Sequence, residues 1–337
     1  MLETKHIILN KSSGIKGGIS EIEDGSISLV VTSPPYPMIE MWDECFNSQN
    51  HKVADYLSNN DGYKAFLEMH KVLDTTWDNV TKAVRPGGIV CINIGDATRT
   101  VGNTFQLFSN KTKITEYFLS HGFVALPEII WRKKTNSPNK FMGSGMLPPG
   151  AYVTLEHEHI LIFRKGNKRE FTVSERLNRQ ESAYFYIERN AWFSDLWELA
   201  GATQKGIKGS RERSGAYPLA LPYRLVLMFS VYGDTVLDPF SGLGTTNLAC
   251  AILGRNSIGC EIDKALCAYS VERMVNYNDW EHYNTLRLLS QDIDKGEKKY
   301  YNNNLGIPVR TKGEENIKLV HVDKVVKNHN QVTVYYK

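Results

Sequence analysis

The segment from Thr235 to Asp263 leaves this chain few ways to fold. Thr235-Val236-Leu237-Asp238 is a short apolar run, as buried parallel strands are. Gly242 and Gly244 follow as a turn, and a helical stretch runs on to about Leu253. Gly254-Arg255-Asn256 turns the chain again, and Ser257 to Cys260 reads as a second strand ending at Glu261-Ile262-Asp263. Strand, turn, helix and strand in that order predict an open, doubly wound α/β sheet whose ligands bind at the carboxyl ends of the strands.

The same segment predicts what the sheet holds. Glycines let a ligand approach the backbone closely, and an acidic residue at the tip of the next strand, about 20 residues on, suits a ribose diol. A dinucleotide turn would need a third glycine where Asn247 stands, and a P-loop would need a lysine after Gly244. The pattern therefore predicts a nucleoside without a pyrophosphate. S-adenosylmethionine meets it, with an adenine, a ribose diol and a zwitterionic tail. The cofactor-binding candidates are Asp238, Pro239, Phe240, Gly242, Gly244, Thr245, Glu261 and Ile262.

Far upstream, Ile27, Leu29, Val30 and Val31 form another buried-strand run that Thr32-Ser33-Pro34-Pro35-Tyr36 breaks abruptly. Two prolines fix φ and remove two N–H donors, so the corner is rigid and rich in acceptors. A hydroxyl stands at one end and an aromatic ring at the other. A planar ring bearing an amine would fit, stacked on Tyr36 and donating to Ser33 and to a carbonyl near Pro34. Taken alone, the four residues fit a polyproline turn at the surface equally well.

Net charge is only +3 over 337 residues, so any basic surface is local. No apolar run approaches a membrane span and the first residues are no signal peptide, which predicts a cytoplasmic protein. Cys45, Cys91, Cys250, Cys260 and Cys267 form no C-x-x-C pair and read as reduced core thiols. No metal-ligand cluster is visible: His157 and His159 alternate along a strand without cysteine partners.

Periodicity predicts further strands at His6–Asn10, Ile89–Ile94, Val124–Trp131 and Glu158–Arg164, and helices at Asp61–Val84, Ile114–His121 and Tyr223–Tyr232. Arg85-Pro86-Gly87-Gly88 reads as the turn that stops the first helix. The long loop from Lys133 to Val153, with Lys134, is of a length that is usually functional. Between residues 166 and 214 the periodicity weakens, and basic residues interleave with Tyr184, Phe185, Tyr186, Trp192, Phe193 and Trp197. Such a stretch suits phosphates and bases, or a solvated connection. The DNA-binding candidates are Lys133, Lys134, Arg176, Arg179, Arg189, Lys205, Lys208, Arg211 and Arg213. Lys318–Val326 and Gln331–Tyr336 read as a hairpin.

Taken together, Thr32-Ser33-Pro34-Pro35-Tyr36 and Asp238-Pro239-Phe240-Ser241-Gly242-Leu243-Gly244-Thr245 resemble the catalytic and cofactor motifs of amino-group DNA methyltransferases. The catalytic motif comes first, as in the circularly permuted β class of that family. Arg85-Pro86-Gly87-Gly88, Ile129 to Lys133, His157-Glu158, Asp195-Leu196-Trp197 and Tyr217-Pro218 also look familial, and the likeness spans about residues 6 to 275. Arg213 departs from it, near where many relatives carry a histidine. The resemblance implies a Rossmann-like, mostly parallel methyltransferase sheet with one antiparallel hairpin strand. It implies four regions: a catalytic half over 1–165, target recognition over 166–214, a cofactor half over 215–295 and an extension over 296–337. It implies double-stranded DNA as substrate and a restriction endonuclease acting on the same site without stable contact, with the enzyme a monomer or homodimer.

The chemistry follows from the same residues. Methylation of C5 of cytosine needs a cysteine nucleophile, which in the enzymes that carry it out follows a proline, and the residues before the cysteines here are Glu44, Val90, Ala249, Gly259 and Leu266. Transfer to an exocyclic amine needs no nucleophilic side chain. Ser33, Pro34, Pro35 and Tyr36 are the catalytic candidates, with Tyr36 assigned by the resemblance to stacking on an extruded base. Serine at position 33 is commoner in enzymes of cytosine N4, whereas adenine N6 enzymes usually carry Asp or Asn there. Adenine N6 methylation, and a DNA-binding protein on a retired enzyme fold, remain the alternatives.

Overall fold

The computed structural model describes residues 2–14, 18–133, 142–201, 216–293 and 299–337. Its centre is a ten-stranded sheet. In chain order the strands are β1 (Glu3–Asn10), β2 (Ile27–Thr32), β3 (Val84–Ile94), β4 (Phe123–Lys133), β5 (His157–Lys165), β6 (Leu196–Leu199), β7 (Thr235–Asp238), β8 (Asn256–Glu261), β9 (Val322–Asn328) and β10 (Gln331–Tyr336). Across the sheet they run β6-β4-β5-β3-β2-β7-β8-β1-β10-β9. The fold is the mostly parallel α/β sheet that the sequence predicts, with two antiparallel strands where one was expected, because the C-terminal hairpin joins the sheet beside β1. Only β5 and β10 run antiparallel to the others, β5 between β3 and β4, and β10 beside β1.

The central strands are apolar throughout because helices cover both faces. Leu29 and Val31 pack with Leu221, Leu225 and Leu248 from α3 (Ala220–Phe229) and α4 (Thr245–Leu253), helices numbered here along the chain after α1 (Gly62–Ala83) and α2 (Asn110–Ser120). Val30 points the other way, into a cluster with Met69, Leu73 and Trp77 of α1. Asp61 caps α1 by accepting from the Lys64 N–H at 3.1 Å, and Phe66, Met69, Leu73, Trp77 and Val80 are all buried along its inner face. Each such side chain contributes about 1.5–3 kcal/mol by leaving water. α5 (Lys264–Val275) and α6 (His282–Ile293) complete the set of long helices. No helix of the described residues is long and apolar enough to cross a membrane.

Three local expectations change. Arg85 to Gly88 are not a turn outside the sheet. They are looped out within β3, with Ile27 opposite Val84 but Leu29 already opposite Ile89, and Gly87 takes φ +76°. α2 starts at Asn110, four residues before the apolar periodicity shows it. Residues 166–201 are more ordered than their composition suggests, with helices at Arg176–Glu181 and Tyr186–Trp192 and the edge strand β6. Phe185 and Trp197, read as base-contacting aromatics, are 0% and 1% exposed and belong to the core.

Candidate active site

β2 and β7 are parallel neighbours, Leu29 opposite Val236 and Val30 opposite Leu237. Their carboxyl ends therefore lie side by side, and so do the proline corner and the glycine turn. Hydrogen bonds join the two. Thr32 Oγ1 donates to Asp238 Oδ1 at 2.7 Å, and Thr246 Oγ1 donates to the Val31 carbonyl at 3.3 Å. The Tyr217 hydroxyl donates to Asp238 Oδ2 at 3.1 Å and also meets Thr246 Oγ1. Asp238 is 1% exposed, and burial raises its carboxyl pKa against the pull of these donors.

The corner itself is held from behind. Asn110 Nδ2 donates to the Pro37 carbonyl at 3.1 Å and to the Gly95 carbonyl at 2.9 Å, while its Oδ1 meets His70 Nε2 of α1 at 3.0 Å. Met38, next along, is buried in left-handed backbone at φ 66°, a conformation that costs energy and clusters at functional sites. Gly95 lets β3 come close to the ring, since a Cβ there would stand 3.1 Å from Tyr36 Cε2.

Tyr36 is the hub of a polar network. Its hydroxyl donates to Glu158 Oε2 at 2.9 Å and lies 3.1 Å from Ser33 Oγ. Asn93 Nδ2, on β3, donates to the Tyr36 hydroxyl at 2.8 Å and to Glu158 Oε2 at 2.6 Å. Lys133 Nζ, at the end of β4, meets Glu158 Oε1. The polarity follows from proton counting. Glu158 accepts the single tyrosine proton, so in the contact between Ser33 and Tyr36 the serine is the donor. Ser33 Oγ also accepts from Asn93 Nδ2 at 3.5 Å, and it keeps a lone pair to offer a ligand. Burial, then the Glu158 carboxylate, hold the Tyr36 phenol well above the ordinary tyrosine range, so it stays protonated.

On the glycine turn, Gly242 and Gly244 do different jobs. Both have positive φ, +50° and +68°. A Cβ on Gly242 would meet nothing within 4 Å, whereas one on Gly244 would lie 1.8 Å from Ser270 Oγ of α5. Gly242 therefore borders open space and Gly244 is a packing residue. Glu261 ties the turn to β8: its Oε2 accepts from Gly242 N and its Oε1 from Asp263 N, each at 2.9 Å. Ile262 beside it is 56% exposed. Phe240 is half-buried, edge-on to Trp77 at 5.8 Å, while Pro239 is buried with its carbonyl accepting from Ser13 Oγ at 2.8 Å. Thr245 is buried and accepts from Arg273 at 2.9 Å. Asn247, where a dinucleotide turn has glycine, is fully buried and bridges Ser241 to Ser257 at 2.9 Å each.

The basic candidates scatter. Lys133 belongs to the catalytic network and lies 4.7 Å from the Trp131 ring centroid. Arg176 and Arg179 are exposed on a short helix at the opposite end of the sheet, where Asn178 donates to the Tyr232 carbonyl before β7. Nearby, Arg169 pairs with Asp234 at 2.7 Å. The structure does not bring Arg176 and Arg179 to the catalytic corner. Arg189 is exposed on the helix Tyr186–Trp192. Lys134, Lys205, Lys208, Arg211 and Arg213 lie outside the described residues.

Sequence reasoning missed Asn93 and Asn110. For Asn93 a signal existed: a polar amide inside the buried run Ile92-Asn93-Ile94 must find partners there. Asn110 carries no such mark, because it stands at the exposed-looking start of a helix.

With the geometry in place, known proteins can be set beside it. The DNA methylase family of N6/N4 type matches residues 27–272. The Type II methyltransferase M.MthZI of Methanothermobacter thermautotrophicus is 45% identical, the alignment covering 100% of this chain and 96% of that protein. The Type II methyltransferase M.MjaI of Methanocaldococcus jannaschii is 51% identical, over 74% of this chain and 85% of its own. A Thermus thermophilus protein, provisionally described as a DNA modification methylase and solved with S-adenosyl-L-methionine, superposes with a TM-score of 0.60. It is 28% identical, with 80% of this chain and 93% of that one covered. A match over most of the chain, and near-complete overlap with a relative of this identity, lead to one conclusion: the chain belongs to the N6/N4 DNA methylase family.

Proposed function

We propose that this DNA methyltransferase moves a methyl group from S-adenosylmethionine to the N4 amine of a cytosine extruded from duplex DNA. The observation that carries the reading is the polarity at Ser33. A hydroxyl turned into an acceptor, between two prolines without N–H groups and a tyrosine ring, suits an amine donor. Serine rather than Asp or Asn at that position favours cytosine over adenine. The order of the motifs, catalytic before cofactor, supports the permuted β-class arrangement.

The residues present fit the cofactor. Gly242 leaves open space at the turn, Glu261 stands at the strand tip within reach of a diol, and Ile262 offers an exposed apolar surface. S-adenosylmethionine supplies an electrophilic methyl carbon when bound there. This chain's part is positioning and electrostatics: Ser33 and the corner hold the amine protons, Tyr36 stacks on the ring, and the bonds through Asp238 keep the two motifs in register. We place target recognition in residues 166–214, where Arg189 with exposed Tyr186 and Phe193 can face nucleic acid. The names of the two archaeal relatives support a role beside a restriction endonuclease cutting the same site.

The test is transfer of labelled methyl groups from S-adenosylmethionine into mixed-sequence duplex DNA, followed by digestion and mass spectrometry of the nucleosides. N4-methyldeoxycytidine is expected. N6-methyldeoxyadenosine would keep the mechanism and correct the base. No methylated nucleoside from a cofactor-bound protein would overturn the reading.

A further inference from the structure

We propose that Glu158 is the terminal proton acceptor of the transfer, reached from the target amine through the hydroxyls of Ser33 and Tyr36. The inference rests on the methyltransferase reading above and deepens it, since it gives the Tyr36 hydroxyl a task that stacking does not require.

Connectivity is the first observation. Ser33 Oγ lies 3.1 Å from the Tyr36 hydroxyl, and that hydroxyl donates to Glu158 Oε2 at 2.9 Å. Polarity is the second: every proton in the chain points away from the ligand and toward the carboxylate. The third is support. Asn93 Nδ2 reaches both Tyr36 at 2.8 Å and Glu158 at 2.6 Å, and Lys133 Nζ meets the other carboxylate oxygen. A stacking platform needs none of this, for phenylalanine presents the same ring face. The charged and titratable groups facing Glu158 are Tyr36 from the corner and Lys133 from β4, and Asn93 from β3 is neutral. Tyr36 faces Tyr217 as well.

The proton balance is simple. An amine that gains a methyl carbon becomes a cation, and the sulfur that releases the carbon keeps the bonding pair. The nitrogen then keeps the electrons of one N–H bond and returns to neutrality. Its proton passes to Ser33 Oγ as Ser33 passes its own to Tyr36 and Tyr36 passes its own to Glu158 Oε2. Both hydroxyls are restored, no serine or tyrosine anion forms, and Glu158 ends as a neutral carboxylic acid that releases its proton to water as the product departs.

The experiment compares Tyr36→Phe, Glu158→Gln and Glu158→Asp with the wild type in the full chain, on duplex DNA carrying the mapped target. Single-turnover transfer is expected to fall on the order of 10²-fold in Tyr36→Phe and Glu158→Gln, the scale of a lost general base, with cofactor and DNA affinities unchanged. Glu158→Asp recovers part of the rate. A readout without turnover is carbon NMR of labelled tyrosine: the Tyr36 resonance, identified by its loss in Tyr36→Phe, titrates at lower pH in Glu158→Gln because the facing charge is gone. A wild-type rate in Tyr36→Phe would show that only the ring matters and would overturn the relay. An unchanged rate in Glu158→Gln, or a loss explained by weakened cofactor or DNA binding, would do the same. A wild type that methylates no DNA would instead overturn the reading beneath, a failure seen before any variant is made.

Discussion

At the scale of single residues, two glycines of one turn make opposite demands. Gly242→Val puts a side chain into open space at φ +50°, so the fold should survive with a strain of about 1–3 kcal/mol while the cofactor site fills. The expected result, read by calorimetric titration with S-adenosylmethionine and a thermal melt, is loss of binding with a modest drop in Tm. Gly244→Ala should do the reverse, because its Cβ would collide with Ser270 and the turn would have to move off α5. Its signature is a large fall in Tm. The sequence announces both glycines but not their division of labour, since neither Ser270 nor the open side is visible from spacing. Asp238 shows the same limit. Its motif position reads as a ligand contact, and spacing does not show that its oxygens also serve Thr32, Tyr217 and the Phe240 N–H inside the protein.

At the scale of elements, α1, β2, β3, β7, α4 and β8 are legible because each carries a strong apolar period or a turn signal at its end. What escaped is what tertiary contacts hold. β6 is four residues long, turns only Trp197 fully inward and exists because β4 offers it a parallel edge, Trp197 beside Trp131. The helix Tyr186–Trp192 is too short to stand alone. It is fixed by a buried ion pair to α6, Arg287 Nε to Glu188 Oε1 at 2.6 Å, with both side chains 4% exposed. Burial works to lower the Arg287 pKa, but the facing Glu188 carboxylate outweighs it and raises the value, so the pair stays charged. Breaking it from one side leaves a buried charge. Arg287→Met should therefore cost about 3–5 kcal/mol in urea unfolding. The double variant Arg287→Met with Glu188→Leu should recover most of that loss, and a double variant as unstable as the single one would refute the account.

At the scale of the whole molecule, two buried histidines tie stability to pH. His6 lies between Thr4 and Ser257 where β1 meets β8, and burial holds its pKa at about 3. His70 of α1, bonded to Asn110, is held by burial at about 4. Both pKa values are depressed, so the unfolded chain takes up protons first as pH falls. Their stabilisation is whole above about pH 6.5 and is lost from there down to the folded-state values. At about pH 5 each is expected to cost about 2 kcal/mol relative to about pH 7. Urea midpoints measured across that range should fall, and His6→Gln should flatten the slope. His70 also holds the Asn110 amide behind the proline corner, so under acid the corner should loosen before the distant hairpin β9–β10.

The hydrogen-bond direction at Ser33 has one more consequence. The two prolines contribute no donor, and the serine proton is already turned inward toward Tyr36 and Glu158. At Ser33 the corner offers an incoming group an acceptor. A ring that carries oxygen where the amine should be would find a donor only if the Ser33 hydroxyl turned away from Tyr36, at the cost of that hydrogen bond. Such a ring is expected to bind the corner more weakly than one that carries an amine, because the amine leaves the bond from Ser33 to Tyr36 intact.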